Sequence, residues 1–232
     1  MPRRVKFCQW CLEKCVRHQQ VQWKLLFTDE AMFTREGIFN FHNVHVWTHV
    51  NPRAIREARH QTTFSINVWA GIVGDRLICP VRLPEWLTGP TYREFLERLT
   101  RDILLNVHDD VPLQLRVGVW FMHGGAPPYF SRIARQYLND HFPGKLIGCD
   151  GPVAWPPRSP DLNPLNFYLR DHVKNEVYST PVTNVDELRE HIVATFDAIR
   201  NQPGQLERVR KSMMLRLNGC VATNGQHFEH LM

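Results

Sequence analysis

Five prolines, Pro152, Pro156, Pro157, Pro160 and Pro164, fall within a stretch of fourteen residues and set the strongest limit on how this chain can fold. Each fixes φ and removes a backbone donor, so the segment can be neither regular helix nor regular sheet. It reads as an ordered loop that feeds a helix beginning at about Leu165. The loop also divides the chain into an N-terminal part where strands and helices alternate and a C-terminal part where only helical spacing recurs.

Before the loop, Val5, Cys8, Cys11, Leu12 and Cys15 recur in steps of three and four, which predicts a helix over Val5–His18. Trp23 to Asp29 is a short apolar run that ends in an acid and reads as a buried strand. Strand character continues through Phe39, Phe41, Val44, Val46 and Trp47. Thr62 to Val73 is rich in β-branched and aromatic residues and stops at Gly74-Asp75, a hairpin signal, with Arg76 to Val81 pairing back. Tyr92, Phe95, Leu96, Leu99 and Ile103 share one face of a helix expected over Thr91–Val107. A strand over Leu115–Met122, a helix over Ser131–His141 and a short strand over Lys145–Cys149 follow. Beyond Leu165, helices are expected near Val185–Arg200 and Gln205–Leu217. Strands early and βαβ units later imply a mixed sheet with helices on both faces. Polar residues at the strand ends of such a sheet gather at one edge and form a site.

Composition narrows the class. A chain of 232 residues with 43% hydrophobic, 22% charged and 11% aromatic residues is an ordinary globular mixture and large enough for a substantial core. Lys and Arg outnumber Asp and Glu by 28 to 23, and the pI is about 9.0, which permits contact with phosphate backbones without requiring it. The N-terminus has no uninterrupted apolar core of a signal peptide, and no stretch is long and apolar enough to span a bilayer. Six scattered cysteines without an export signal favour reduced thiols and an intracellular location.

Three places could carry a metal-binding acid: Asp29, the turn at 123–125, and the start of the helix near 166. Two-metal phosphoryl transfer needs carboxylates on both ions and at least one that bridges them, and separate strand ends can supply them. Here the sequence resembles a known family. Phe27-Thr28-Asp29-Glu30-Ala31, Asn67-Val68-Trp69-Ala70-Gly71-Ile72, the block from Trp155 to Pro164 (Trp-Pro-Pro-Arg-Ser-Pro-Asp-Leu-Asn-Pro) and the C-terminal Gln226-His227-Phe228-Glu229-His230-Leu231 all resemble mariner-type DNA transposases of the DDE/DDD superfamily. The resemblance runs nearly end to end. It implies a ribonuclease H-like fold, α/β, with a mixed five-stranded sheet flanked by helices. It also implies a helical remnant over 1–22, the catalytic domain over 23–180, and C-terminal helices over 181–232 packed on the same domain.

The resemblance also places the family's three catalytic acids. The first matches Asp29, the second matches Gly124, and the third matches Asn166, 42 positions further on. Two of the three carboxylates are therefore missing. Two divalent cations about 4 Å apart repel by roughly 17 kcal/mol even at an effective dielectric of about 20, and carboxylates are what offset that repulsion. Gly124 has no side chain and Asn166 offers only a neutral carbonyl. The expectation is a DNA strand-cleaving and strand-transferring domain that has become catalytically defective. In the ancestral site the cofactor would be Mg²⁺ or Mn²⁺; here binding through Asp29, with Asn166 as a second ligand, would be weak or absent. Glu30 follows Asp29 on the strand and points to the opposite face, Asp161 belongs to the Pro-rich block in a structural or capping role, and Asp150 is an acid with no family counterpart.

Other groupings have plainer readings. Cys8, Cys11, Cys15 and His18 share one helical stripe, where a closed tetrahedral zinc site would be strained, so a buried Cys-rich face is expected. His42 and His45 would point to opposite faces of a strand, which argues against shared metal ligation, so His42, His45 and His49 are read as polar contacts at the sheet edge, and His227 and His230 as packing or DNA-side contacts. Arg53, Arg56 and Arg59 could line a DNA groove, or simply be solvated.

In the family, helix-turn-helix motifs in an N-terminal region recognise the transposon ends. The 28 residues before Asp29 are too few for them, so non-specific, backbone-directed DNA binding is expected from this chain alone. The expected location is the nucleus. The expected partners are DNA and either a second copy or an intact transposase in a mixed oligomer, with no membrane. The alternative from another class is a non-catalytic nucleic-acid-binding or protein-interaction module taken over from a transposon, or a decayed element product.

Overall fold

The computed structural model describes residues 3–18, 20–35, 37, 64–84, 86–101, 118–125, 127–148 and 151–232. The expected strand at 39–47, His42, His45, His49, Arg53, Arg56, Arg59 and Asp150 lie outside the described residues, as does 102–117.

Five strands form one mixed sheet. They are β1 (Leu25–Thr34), β2 (Ser65–Val73), β3 (Arg76–Arg82), β4 (Trp120–Met122) and β5 (Leu146–Ile147), in the order β3-β2-β1-β4-β5. β1 and β2, and β2 and β3, pair antiparallel; β1 and β4, and β4 and β5, pair parallel. The Gly74-Asp75 hairpin forms as its sequence predicts, with Gly74 taking the left-handed φ of 58° that a two-residue loop needs at its first position.

Alternation along the strands divides the core in two. Leu25, Phe27 and Phe33 of β1, with Ile66, Val68, Ala70 and Ile72 of β2, face one layer. That layer holds α1 (Arg3–Arg17), α4 (Arg170–Val177), α5 (Val185–Asn201) and α6 (Gln205–Ala222). Leu26 of β1, Trp69 and Val73 of β2 and Phe121 of β4 face the other layer. There α2 (Gly89–Arg98) and α3 (Arg132–His141) cover the sheet with Tyr92, Phe95, Leu96, Ala134 and Leu138. Full burial of side chains such as Leu26, Trp69 and Phe121 contributes about 1.5–3 kcal/mol each relative to exposure.

The helices begin where the sequence supplies caps. The Thr88 side chain accepts from the backbone N–H of Thr91 in a reciprocal capping box ahead of α2, Ser131 accepts from Ala134 ahead of α3, and Asn184 accepts from Asp186 and Glu187 ahead of α5. On the C-terminal side, Arg210 of α6 holds Asp75 through two hydrogen bonds of 2.7 and 3.3 Å and lies 3.8 Å over the Trp23 ring.

Several expectations need correction. β1 does not end at Asp29; it continues to Thr34, because β2 goes on pairing with it as far as Thr34↔Ser65. Tyr178 then fixes that end, accepting from the Thr34 N–H at 2.9 Å and donating to its carbonyl at 2.8 Å. The helix expected over Thr91–Val107 begins at Gly89, and its α-helical span is Gly89–Arg98. The last helix runs to Ala222, five residues past its expected end. At the C-terminus both His227 and His230 are exposed, and it is Phe228 that packs, fully buried against Gly219.

Candidate site around Asp29

Asp29 lies on β1 where that strand loses its parallel neighbour. β4 pairs with β1 at Leu25↔Trp120 and Leu26↔Phe121 and ends at Met122. The Thr28 hydroxyl donates to the Met122 carbonyl at 2.9 Å.

The Pro-rich loop reaches the same place through Asn163. Its buried side chain donates to the Thr28 carbonyl at 3.2 Å and accepts from the Leu165 N–H at 3.1 Å. The chain then enters a wide π-type turn, Leu165–Leu169, in which the Arg170 N–H bonds back to the Leu165 carbonyl. Such turns shift the side chains of a helix relative to its axis and recur at functional sites. This one carries Asn166, whose side chain is among the groups that lower the Asp29 pKa.

The structure brings Asn166 and Arg170, from the π-type turn and the helix that follows it, to Asp29, and places Gly124 two residues past the end of β4, beside Tyr129. One ionisable oxygen donor remains among them. Asp29 is partly buried, and burial raises its pKa against the lowering effects of the Arg170 guanidinium, the backbone and Asn166. Arg170, the first residue of α4, donates from Nη2 to Asp29 Oδ2 at 3.2 Å and to the Glu30 carbonyl at 3.3 Å. One carboxylate oxygen is thus engaged by a guanidinium nitrogen.

Glu30 is on the opposite face of β1, as strand alternation requires. Burial pushes its carboxyl up to about 7, and the nearby charge of Asp29 adds to that, while a hydrogen bond from Tyr129 pulls the other way. Tyr129, Tyr92 and His123 form a ring cluster here, with centroids 4.4 Å apart for Tyr92–Tyr129 and 4.8 Å for His123–Tyr129. Burial holds the His123 imidazole down at about 4, so the neutral ring shares its 2.8 Å hydrogen bond with the Tyr92 hydroxyl. A Cβ on Gly124 would lie 3.2 Å from the Tyr129 ring, so the cluster already occupies part of the space that a side chain at 124 would need.

The residues do not fit a two-metal centre. Among the described residues no group of three or more His, Cys, Asp and Glu side chains is placed to hold a metal ion. Asp161 is unable to help. It is buried and ion-paired to Arg4 of α1, through contacts of 2.8 and 2.5 Å, and its backbone carbonyl accepts from Arg216 of α6. Cys8, Cys11 and Cys15 are buried on α1, His18 at its end is exposed, and Cys220 from α6, also buried, is near enough to help raise the Cys8 pKa. No described helix is long and apolar enough to cross a membrane.

Sequence reasoning missed Arg170, Tyr129, Tyr92 and Cys220. Arg170 had no signal, since an arginine on the polar side of a helix reads as solvated. Asn163 stood inside the quoted Pro-rich block but only its position against β1 gives it a role.

No protein-family model matches the chain, and no curated protein matches it by sequence. Solved structures do match. The Mos1 transposase catalytic domain with raltegravir and Mg agrees at a TM-score of 0.70 and 16% identity, over 98% of this chain and 96% of that one. A crystal structure of the catalytic domain of Mos1 mariner transposase gives 0.70 at 18% identity, over 98% and 94%. The mariner Mos1 paired-end complex with Mg gives 0.73 at 17% identity, covering 98% of this chain and 63% of that one. The chain therefore has the ribonuclease H-like fold of that catalytic domain across nearly its whole length.

Proposed function

We propose that this chain is a mariner-type transposase-derived domain of the DDE class that binds DNA through its backbone and no longer cuts it. The observation that carries this reading is that Asp29, the one carboxylate at the three positions where the resemblance puts the family's acids, is held by Arg170 in a fold shared with the Mos1 catalytic domain. The family's acids are expected at those three positions, and a single carboxylate survives. The net charge of +5 supports attraction to phosphates, and the relatives include a Mos1 paired-end complex with a left transposon end and a Mos1 strand transfer complex.

In the ancestral reaction, divalent ions would activate water or a 3′-hydroxyl for attack on a phosphodiester. In this chain the Asp29 carboxylate accepts from Arg170, Asn166 is neutral, and Gly124 has no side chain. The domain retains the scaffold and lacks the charge to hold an ion pair. A nicking assay on supercoiled DNA with Mg²⁺ or Mn²⁺, run beside a gel shift over a salt series, tests the reading. No nicking and a shift that weakens with salt are expected. Nicking that disappears in Asp29→Ala would refute the loss of catalysis, and a missing shift at low salt would refute DNA binding.

A further inference from the structure

We infer that Arg170 stands in for a metal ion on Asp29, so that the site is closed to divalent cations by a resident positive charge as well as by the absence of two acids. This rests on the proposed reading of Asp29 as a former metal ligand.

The geometry is specific. Arg170 Nη2 lies 3.2 Å from Asp29 Oδ2 and 3.3 Å from the Glu30 backbone carbonyl, so one nitrogen spans two oxygens from consecutive residues of β1. A carboxylate oxygen beside a backbone carbonyl oxygen is the kind of donor pair a hard divalent cation takes. Asn166 lies four residues before Arg170 on the same turn, so both approach Asp29 from one stretch of chain. The guanidinium brings a positive charge tethered by the chain, so it competes with a dissolved ion without a loss of free translation. The Arg170 side chain is 41% exposed and that of Asp29 is 25% exposed, which places the pair at a surface that solvent cations can reach. An ion that approached Asp29 would meet the arginine's charge first.

The test is a Mn²⁺ titration of the full chain, with free Mn²⁺ read by electron paramagnetic resonance and folding checked by circular dichroism. Arg170→Met, which keeps the length of the side chain and removes its charge, is expected to bind Mn²⁺ at least about tenfold more tightly than the wild type. That gain is expected to vanish when Asp29→Asn is added. Arg170→Lys keeps the charge and should stay within about twofold of the wild type. Equal affinity in the wild type and Arg170→Met would overturn the inference, and so would a gain that survives Asp29→Asn. A salt-dependent DNA shift measured on the same samples separates the two readings. Loss of that shift with the Mn²⁺ pattern intact refutes DNA binding alone, whereas a failed Mn²⁺ pattern with the shift intact refutes the role of Arg170 alone.

Discussion

Replacing Glu30 by Gln should make the chain more stable at alkaline pH than at acid pH relative to wild type, because the native fold holds an ionisable carboxyl in a place that disfavours its charge. The carboxyl titrates at about 7 in the folded chain against an ordinary 4.5, chiefly through burial. Between those values the unfolded chain has released this proton and the folded chain has kept it. The unfolded state therefore binds fewer protons, and stability falls as pH rises. The difference corresponds to about 3 kcal/mol once pH exceeds 7, an upper value because relaxation and water reduce it. His123 acts in the opposite direction. Its folded value is about 4 against 6.5, so between those values the unfolded state binds more protons and stability rises with pH. From about pH 4.5 to 6.5 the two slopes oppose each other and the wild type should be nearly flat. Urea denaturation followed by tryptophan fluorescence over pH 4 to 8 would show Glu30→Gln gaining about 2–3 kcal/mol relative to wild type across that range. The change of that difference with pH is independent of any constant packing effect of the substitution. A difference that stays constant with pH to within about 0.5 kcal/mol would refute the assignment of a raised Glu30 carboxyl.

Other outcomes follow from the same contacts. Gly124→Asp with Asn166→Asp should introduce weak Mn²⁺-dependent nicking, and adding Arg170→Met should increase it; silence in the triple variant, if it is folded, would argue against a sound catalytic scaffold. Gly124→Asp alone should lower stability by about 1–2 kcal/mol in urea titrations, since its Cβ would meet the Tyr129 ring at 3.2 Å. Arg4→Ala should cost about 2–4 kcal/mol by the same assay, because it leaves the buried Asp161 carboxylate without its partner. Phe228→Ala should cost about 3–4 kcal/mol and lower Tm, as the ring is fully buried at the end of α6.

Much of the architecture could be read from local pattern. Alternation in β2, the Gly74-Asp75 hairpin, the amphipathic face of α2 and the prolines of 152–164 each express a constraint of neighbouring residues. Asp29 was legible because it ends an apolar run within a recognisable block. The boundaries of β1 were less so. Glu30 and Ala31 are poor strand formers, and the strand continues through them because β2 offers hydrogen bonds out to Ser65. The Cys stripe on α1 was legible as a buried face, while its thiol neighbour Cys220 was not, since it comes from α6.

By itself the sequence determined much of the order of elements and set Asp29, Gly124 and Asn166 as the side chains at the three candidate positions, because periodicity, proline placement and side-chain identity are properties of the chain itself. The tertiary structure alone decided what Asp29 touches. Arg170 is 141 positions from Asp29, and Tyr129 is 99 from Glu30. Contacts at such separations arise only when the sheet, the π-type turn and the helices have packed, and those contacts set the charge that Asp29 and Glu30 carry.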